Sequence, residues 1–239
     1  SGSFSTGNKP VRAMQREIKY WYLRNYDLFS NLTKEQINDL CGISKFVRMK
    51  KGHTIYFASD EVKRVYFLIN GKIKISEMDQ SGNEMIKDIL LTGDLFGEIS
   101  FNMLTLSHEY AEILSSEVIL CTFTMDEFEE LMQKHPMLCL NFTKKIGDKL
   151  RKLEHRHANL VFKDVKERLK DFLKMWAINE GKDTPEGVLI KNYLTHNEIA
   201  SLISSSRQTV TTIINELKEE GALSYSRSQI VIPNIAVLS

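Results

Sequence analysis

The stretch Leu194-Thr195-His196-Asn197-Glu198-Ile199-Ala200-Ser201-Leu202-Ile203-Ser204-Ser205-Ser206-Arg207-Gln208-Thr209-Val210, continued by Ile213, Ile214 and Leu217, decides how this chain is read. Thr195 and Glu198 stand three residues apart, the spacing at which each side chain caps the other's backbone N–H and starts a helix. Ile199 and Leu202 then face a core, and Ala200 is small enough for two helices to cross closely. The serine run breaks the chain and re-caps it near Ser206. A second helix follows, with Val210, Ile213, Ile214 and Leu217 on one side and Arg207, Gln208, Thr211, Thr212 and Asn215 on the other.

Two helices about a tight turn, the second carrying Arg and Gln at its N-terminal end, have the chemistry of a major-groove reader. Arg pairs bidentately with guanine and Gln with adenine, while Ser and Thr hydroxyls reach phosphates. Ser206, Arg207, Gln208, Thr209, Thr211 and Thr212 are therefore the candidate DNA contacts. Beyond Gly221, a helix stop, residues 223–225 and 229–232 bracket Arg227-Ser228 as two short strands, a wing of the kind that touches phosphate.

Moving toward the N-terminus, Asp164 and Glu167 form another capping box, opening a helix to about Trp176. Residues 179–187, with Gly181, Pro185 and Gly187, read as a polar loop. From about Met137 to Leu160 a long helix is expected. Its Ile146, Leu150, Leu153, His157 and Leu160 alternate steps of four and three, a heptad seam. So narrow a stripe is under-buried in a monomer, which predicts a homodimer; the alternative is that it packs on the chain's own domains. His157 on that seam would make association pH-sensitive if buried against its mate.

Between Ile43 and Thr124 short β-rich runs recur at residues 54–57, 65–69 and 72–75, punctuated by Gly71, Gly82 and Gly93 at intervals of eleven. Such spacing predicts a sandwich or roll. An opening amphipathic helix is expected over residues 11–29 from the spacing of Met14, Ile18, Trp21 and Tyr22. The fold class is thus α+β: an N-terminal double-stranded, jelly-roll-like β-roll over 11–134, a dimerisation helix and hinge over 135–162, and a winged helix-turn-helix over 163–239.

The 239 residues, 42% hydrophobic and 26% charged, suit two soluble domains. No apolar run approaches the roughly 20 residues that cross a bilayer, and no leader is evident, so no membrane partner and a cytoplasmic location are expected. Cys41, Cys121 and Cys139 are scattered and odd in number, suggesting reduced core residues. The net charge is +1, and residues 163–239 hold ten Lys/Arg against ten Asp/Glu, so DNA affinity has to come from local placement and paired half-sites. No nucleophile elbow, P-loop or His-Glu-x-x-His motif points to an enzyme.

Ile199-Ala200, Ser206-Arg207-Gln208-Thr209-Val210, Leu217 and Gly221 resemble the recognition motif of the Crp/Fnr family. Residues 67–71 (Phe-Leu-Ile-Asn-Gly), 93–98 (Gly-Asp-Leu-Phe-Gly-Glu) and the helix after Asp164 resemble the same family in the same order. The resemblance implies a homodimeric transcription regulator whose partners are a pseudo-palindromic double-stranded operator, RNA polymerase and a small-molecule effector. Ser204 stands where the family has a turn glycine, Thr212 where many members carry a second Arg, and Gln208 where the cyclic-AMP-responsive members carry an acid, so their operator does not transfer.

In the family, a phosphate-binding cassette opens Gly-Glu-apolar and closes with Arg-Ser. Here it opens as Gly97-Glu98-Ile99, but His108 and Glu109 occupy the closing positions. A neutral imidazole lacks the guanidinium fork, and a carboxylate repels a phosphate. Cyclic-nucleotide binding is disfavoured and no cofactor is assigned. An iron–sulfur sensor needs an N-terminal cysteine cluster, and none precedes Cys41; His53, His108 and His135 are isolated, so no metal is assigned either. The competing reading is a regulatory or scaffold protein whose roll and winged module make ligand or protein contacts without sequence-specific DNA binding.

Overall fold

The computed structural model describes residues 16–56, 62–79, 82, 84–97 and 109–238, and the chain divides into two compact units, residues 1–149 and 150–239. The first opens with α1 (Arg16–Arg24), a 3-10 turn (Asp27–Phe29) and α2 (Lys34–Ile43). Then come β1 (Lys45–Lys50), β2 (Thr54–Tyr56), β3 (Arg64–Asn70), β4 (Lys72–Met78), β5 (Glu84–Leu91), β6 (Leu95–Gly97), β7 (Glu109–Ile113) and β8 (Glu117–Thr124). Next are α3 (Met125–Lys134) and α4 (Pro136–Phe162), a helix of 27 residues that runs on past the division.

The strands form two antiparallel four-stranded sheets, β1-β8-β3-β6 and β2-β7-β4-β5, which together make the β-roll. β3 and β8 are buried on both faces, which is why they read as unbroken apolar runs rather than alternating ones. Tyr66, Leu68, Val118 and Leu120 point toward Ile73, Ala111 and Ile113 of the second sheet. On the opposite face Val65, Phe67, Ile119, Cys121 and Phe123 meet the helices. There Phe67, Phe123, Phe128 and Phe142 form a chain of rings with centroids 5.2–5.8 Å apart along Phe123–Phe67, Phe67–Phe128 and Phe128–Phe142. Ring pairs at such spacing contribute beyond the area they bury.

Several sequence expectations need correction. The opening helix ends at Arg24 rather than Phe29; Met14 of its expected stripe lies outside the described residues, Ile18 and Trp21 are 40% and 61% exposed, and Leu23, Leu28 and Phe29 fill the core. The chain bends at Asn25-Tyr26, so the apolar residues on either side of the bend do not share one helical face. α2, fixed by a Thr33/Gln36 capping box, had no reading in the sequence. β7 was also missed: its two glutamates hide the alternation by which Ala111 and Ile113 enter the core.

The second unit holds α5 (Val165–Glu180), β9 (Lys182–Thr184), β10 (Gly187–Lys191), α6 (His196–Leu202), α7 (Arg207–Glu219), β11 (Ser224–Tyr225) and β12 (Gln229–Ile232). The predicted loop at 179–187 is instead the tail of α5 and a β9–β10 hairpin. Its second strand pairs with β12, making a four-stranded sheet, β11-β12-β10-β9. The Asp164/Glu167 capping box is present, with bonds of 2.8 and 3.0 Å, and Leu169, Leu173, Trp176 and Ala177 of α5 are buried. No described helix is long and apolar enough to cross a membrane.

Candidate nucleic-acid interface

α6 starts where Thr195 Oγ1 accepts from Glu198 N at 3.2 Å and the Glu198 carboxylate accepts from Thr195 N at 2.8 Å. Ile199 and Ala200 are buried, whereas Leu202 is only half-buried. The helix closes as Ile203 N donates to Ile199 O, and the turn is pinned by Ser205 N donating to Ala200 O at 2.8 Å. Ser204, at the turn-glycine position, has φ +54, and among the described residues it is the one non-glycine with positive φ. Left-handed backbone costs an L residue about 1–2 kcal/mol, so this turn is held against its own preference.

Ser206 caps α7, its Oγ accepting from Thr209 N at 3.1 Å and lying 2.8 Å from Thr209 Oγ1. Val210, Ile213, Ile214 and Leu217 are buried, which fixes the helix's rotation and turns Arg207, Gln208 and Thr212 to solvent. The threonine hydroxyls have partners within the domain: Thr211 Oγ1 donates to Arg207 O at 2.9 Å and Thr212 Oγ1 to Gln208 O at 3.1 Å. Of the six candidate contacts, Arg207 and Gln208 thus extend outward, Ser206 and Thr209 build the cap, and Thr211 and Thr212 bond back along the helix.

His196, on the first helix, sits against this head. Its Nδ1 lies 2.8 Å from Thr211 Oγ1 and its ring meets Tyr225 edge-on at 5.1 Å. Burial, and then the Arg207 charge, push the imidazole below its ordinary pKa. Asn192 organises the wing: Nδ2 donates to Ser226 O at 2.9 Å, N to Ser228 O at 2.9 Å, and Oδ1 accepts from Leu194 N at 3.1 Å. One buried amide therefore joins the wing to the segment leading into α6, with Arg227 exposed at the tip. Neither Asn192 nor His196 was singled out from sequence, because nothing local distinguishes a buried Asn or His from a surface one.

At the far end of α7, Lys166 bonds Glu220 at 2.8 Å and Glu216 at 3.1 Å; those two carboxylates, Glu220 first, raise its pKa. Glu216 and the cap residue Glu220 are thus held by α5 at the end of α7 away from Arg207.

In the sensor unit, Gly97 ends β6 and Glu109 opens β7; Glu98, Ile99 and His108 lie outside the described residues. Gly97 holds φ +94, and a Cβ there would stand 2.5 Å from Arg64 O, so the position admits glycine alone without displacing β3. The Glu109 carboxylate pairs with Lys87 of β5, which also reaches Glu77 of β4 at 3.2 Å. Desolvation pulls the Lys87 pKa down, but Glu109 and then Glu77 outweigh it and hold it above the ordinary value. The ring of His53 bonds Lys50 O at 2.9 Å and that of His135 bonds Gln36 Nε2 at 3.0 Å. On α4, Leu150, Leu153 and Leu160 of the heptad seam are 54%, 62% and 46% exposed, and His157 is exposed, whereas Ile146 packs against the sensor core.

A β-roll, a long helix and a winged helix-turn-helix in this order define a DNA-binding transcription regulator. Residues 46–135 match the family model of the cyclic nucleotide-binding domain and residues 167–239 that of the Crp-like helix-turn-helix domain. The chain belongs to the Crp/Fnr family. It is 29% identical over 190 residues to the global nitrogen regulator of Synechocystis, covering 79% of this chain and 84% of that one. To the cAMP-activated global transcriptional regulator CRP of Pasteurella multocida it is 27% identical over 181 residues, covering 75% and 85%. Among solved structures, the c-di-GMP responsive global regulator CLP of Xanthomonas campestris shares the fold, with a TM-score of 0.71 at 17% identity over 84% of this chain and all of that one.

Proposed function

We propose that the chain is an effector-responsive homodimer that reads a pseudo-palindromic operator in the cytoplasm with two copies of α7. Arg207 and Gln208 address base edges, and Ser206, Thr209, Thr211 and Thr212 hold the helix head in the shape that presents them. The observation that carries this is the orientation of α7: four buried apolar residues lock one face, leaving Arg207 and Gln208 outward at the N-terminal end. The scaffold alternative has no such use for that pair.

The dimer reading rests on α4, about 40 Å long, whose Leu150, Leu153 and Leu160 are largely uncovered in the single chain. Division into a sensor over 11–134, a helix and hinge over 135–162 and a reading domain over 163–239 follows the element order. RNA polymerase is the expected protein partner. Cyclic AMP is disfavoured as the effector, because His108 and Glu109 stand where the family's cassette closes with Arg and Ser. The relatives' names themselves differ in effector, one cAMP and another c-di-GMP.

The test is selection of a duplex from a random library by the purified protein, followed by titration at several salt concentrations. Enrichment of a two-fold site with half-sites about one turn apart supports the reading. Recovery of no sequence, with binding indifferent to salt, would falsify it.

A further inference from the structure

The guanidinium of Arg168, in the first turn of α5, donates to three backbone carbonyls. Nε reaches Ile203 O at 3.0 Å and Nη2 reaches Ser204 O at 3.2 Å, both in the turn between α6 and α7. Nη1 reaches Lys163 O at 2.9 Å, in the segment where the chain has just left α4. One planar fork therefore joins the hinge to the turn that aims the recognition helix. Those two turn carbonyls border the peptide units of Ser204, the residue held at φ +54. Two charge-assisted bonds on adjacent carbonyls restrict the rotations by which that residue would relax to right-handed backbone.

We infer that Arg168 is a positioning residue: it holds the strained Ser204 turn in the conformation that presents Arg207 and Gln208, and ties that conformation to the hinge at Lys163. This rests on the assignment of α7 as the DNA-reading helix. Lysine cannot replace the clamp, since a single ammonium does not reproduce the fork's fixed directions. Glycine at 204 can replace part of it, since glycine adopts positive φ without restraint.

The experiment compares the unmodified protein with Arg168→Lys, Ser204→Gly, their combination and Arg207→Ala. The probes are the duplex each chain would share, selected by the unmodified protein, and a random duplex of equal length. Arg168→Lys is expected to weaken binding to the selected duplex about tenfold, the scale of losing hydrogen bonds to a charged donor, while random-duplex binding and the salt slope hold. In the Ser204→Gly background the same change should cost about threefold or less, a coupling that independent sites do not show. A salt slope shallower by about one would mean that Arg168 touches phosphate itself and would overturn the inference. So would equal loss on both duplexes, strict additivity with Ser204→Gly, or no loss at all.

Amide exchange at Ser205 reads the clamp without DNA. Its N–H, bonded to Ala200 O, should exchange several-fold faster in Arg168→Lys. Faster exchange together with an inert Arg207→Ala would reject the reading of α7 and keep the clamp; unchanged exchange rejects the clamp.

Discussion

The imidazole Nδ1 of His196 and the Thr211 hydroxyl lie 2.8 Å apart, joining α6 to the outward side of α7. Because that hydroxyl donates to Arg207 O, it accepts from His196, so the ring carries its proton on Nδ1. Burial, and then Arg207, push the imidazole below its ordinary value of 6.5. As pH falls, the unfolded chain therefore takes up this proton before the folded one does. The stability involved is whole above pH 6.5 and is lost as pH falls through the lower folded value. Thermal unfolding between pH 7.5 and 5.5 should show the second unit weakening, with a smaller drop in His196→Asn, which keeps a donor and does not titrate. Parallel profiles for the two proteins would discount His196.

Arg207→Ala should weaken binding to a selected duplex by about 1–3 kcal/mol and relax the preference at one position of each half-site. Arg227→Ala at the wing tip should instead lower affinity for all duplexes alike and reduce the salt slope by about one per wing. Fluorescence anisotropy titrations at three salt concentrations separate the two effects. If Arg227 alters sequence preference and Arg207 does not, the reading head is the wing.

What the sequence made legible follows from how locally each element is specified. Both capping boxes around Asp164 and Thr195, and the buried face of α7, are written within one or two turns of helix, and they stand as read. β9 and β10 were read as a loop because Pro185 and two glycines mark only the turn, while β10 is a strand by virtue of β12, nearly forty residues on. Trp21 looked like core and is exposed, since periodicity does not show which side of a helix the rest of the chain covers. The role of Arg168 is not legible in the sequence. Its partners are carbonyls, which leave no mark in a sequence.

Ser204→Gly should raise the stability of the second unit by up to about 1 kcal/mol, the relief of left-handed strain less the extra entropy of an unfolded glycine. Ser204→Val, with a branched side chain at φ +54, should lower it by about 1–2 kcal/mol. Urea unfolding followed by circular dichroism distinguishes them. Equal stabilities would mean that the turn relaxes freely in solution.

Leu153→Glu tests the dimer seam. At 62% exposure in the single chain, the position tolerates a carboxylate if α4 stands alone, and stability would then shift by less than about 0.5 kcal/mol. In a paired helix the same change buries two like charges against each other across the axis. We therefore expect sedimentation velocity to show a dimer for the unmodified protein and a monomer for Leu153→Glu. A monomer in both cases would remove the seam.

The closing end of the sensor cassette makes the remaining prediction. Glu109, at the closing position, pairs with Lys87, which also meets Glu77, so a phosphate arriving beside Glu109 meets carboxylates whose neighbouring cation is already paired. Water screens this part-exposed pair, but the acids still disfavour an anion beside them. Calorimetry should accordingly detect no binding of cyclic AMP or cyclic GMP to the unmodified protein. His108→Arg with Glu109→Ser supplies a guanidinium fork and a hydroxyl and leaves Lys87 with Glu77, so the double variant should gain measurable affinity. Binding by the unmodified protein would overturn this reading of the cassette.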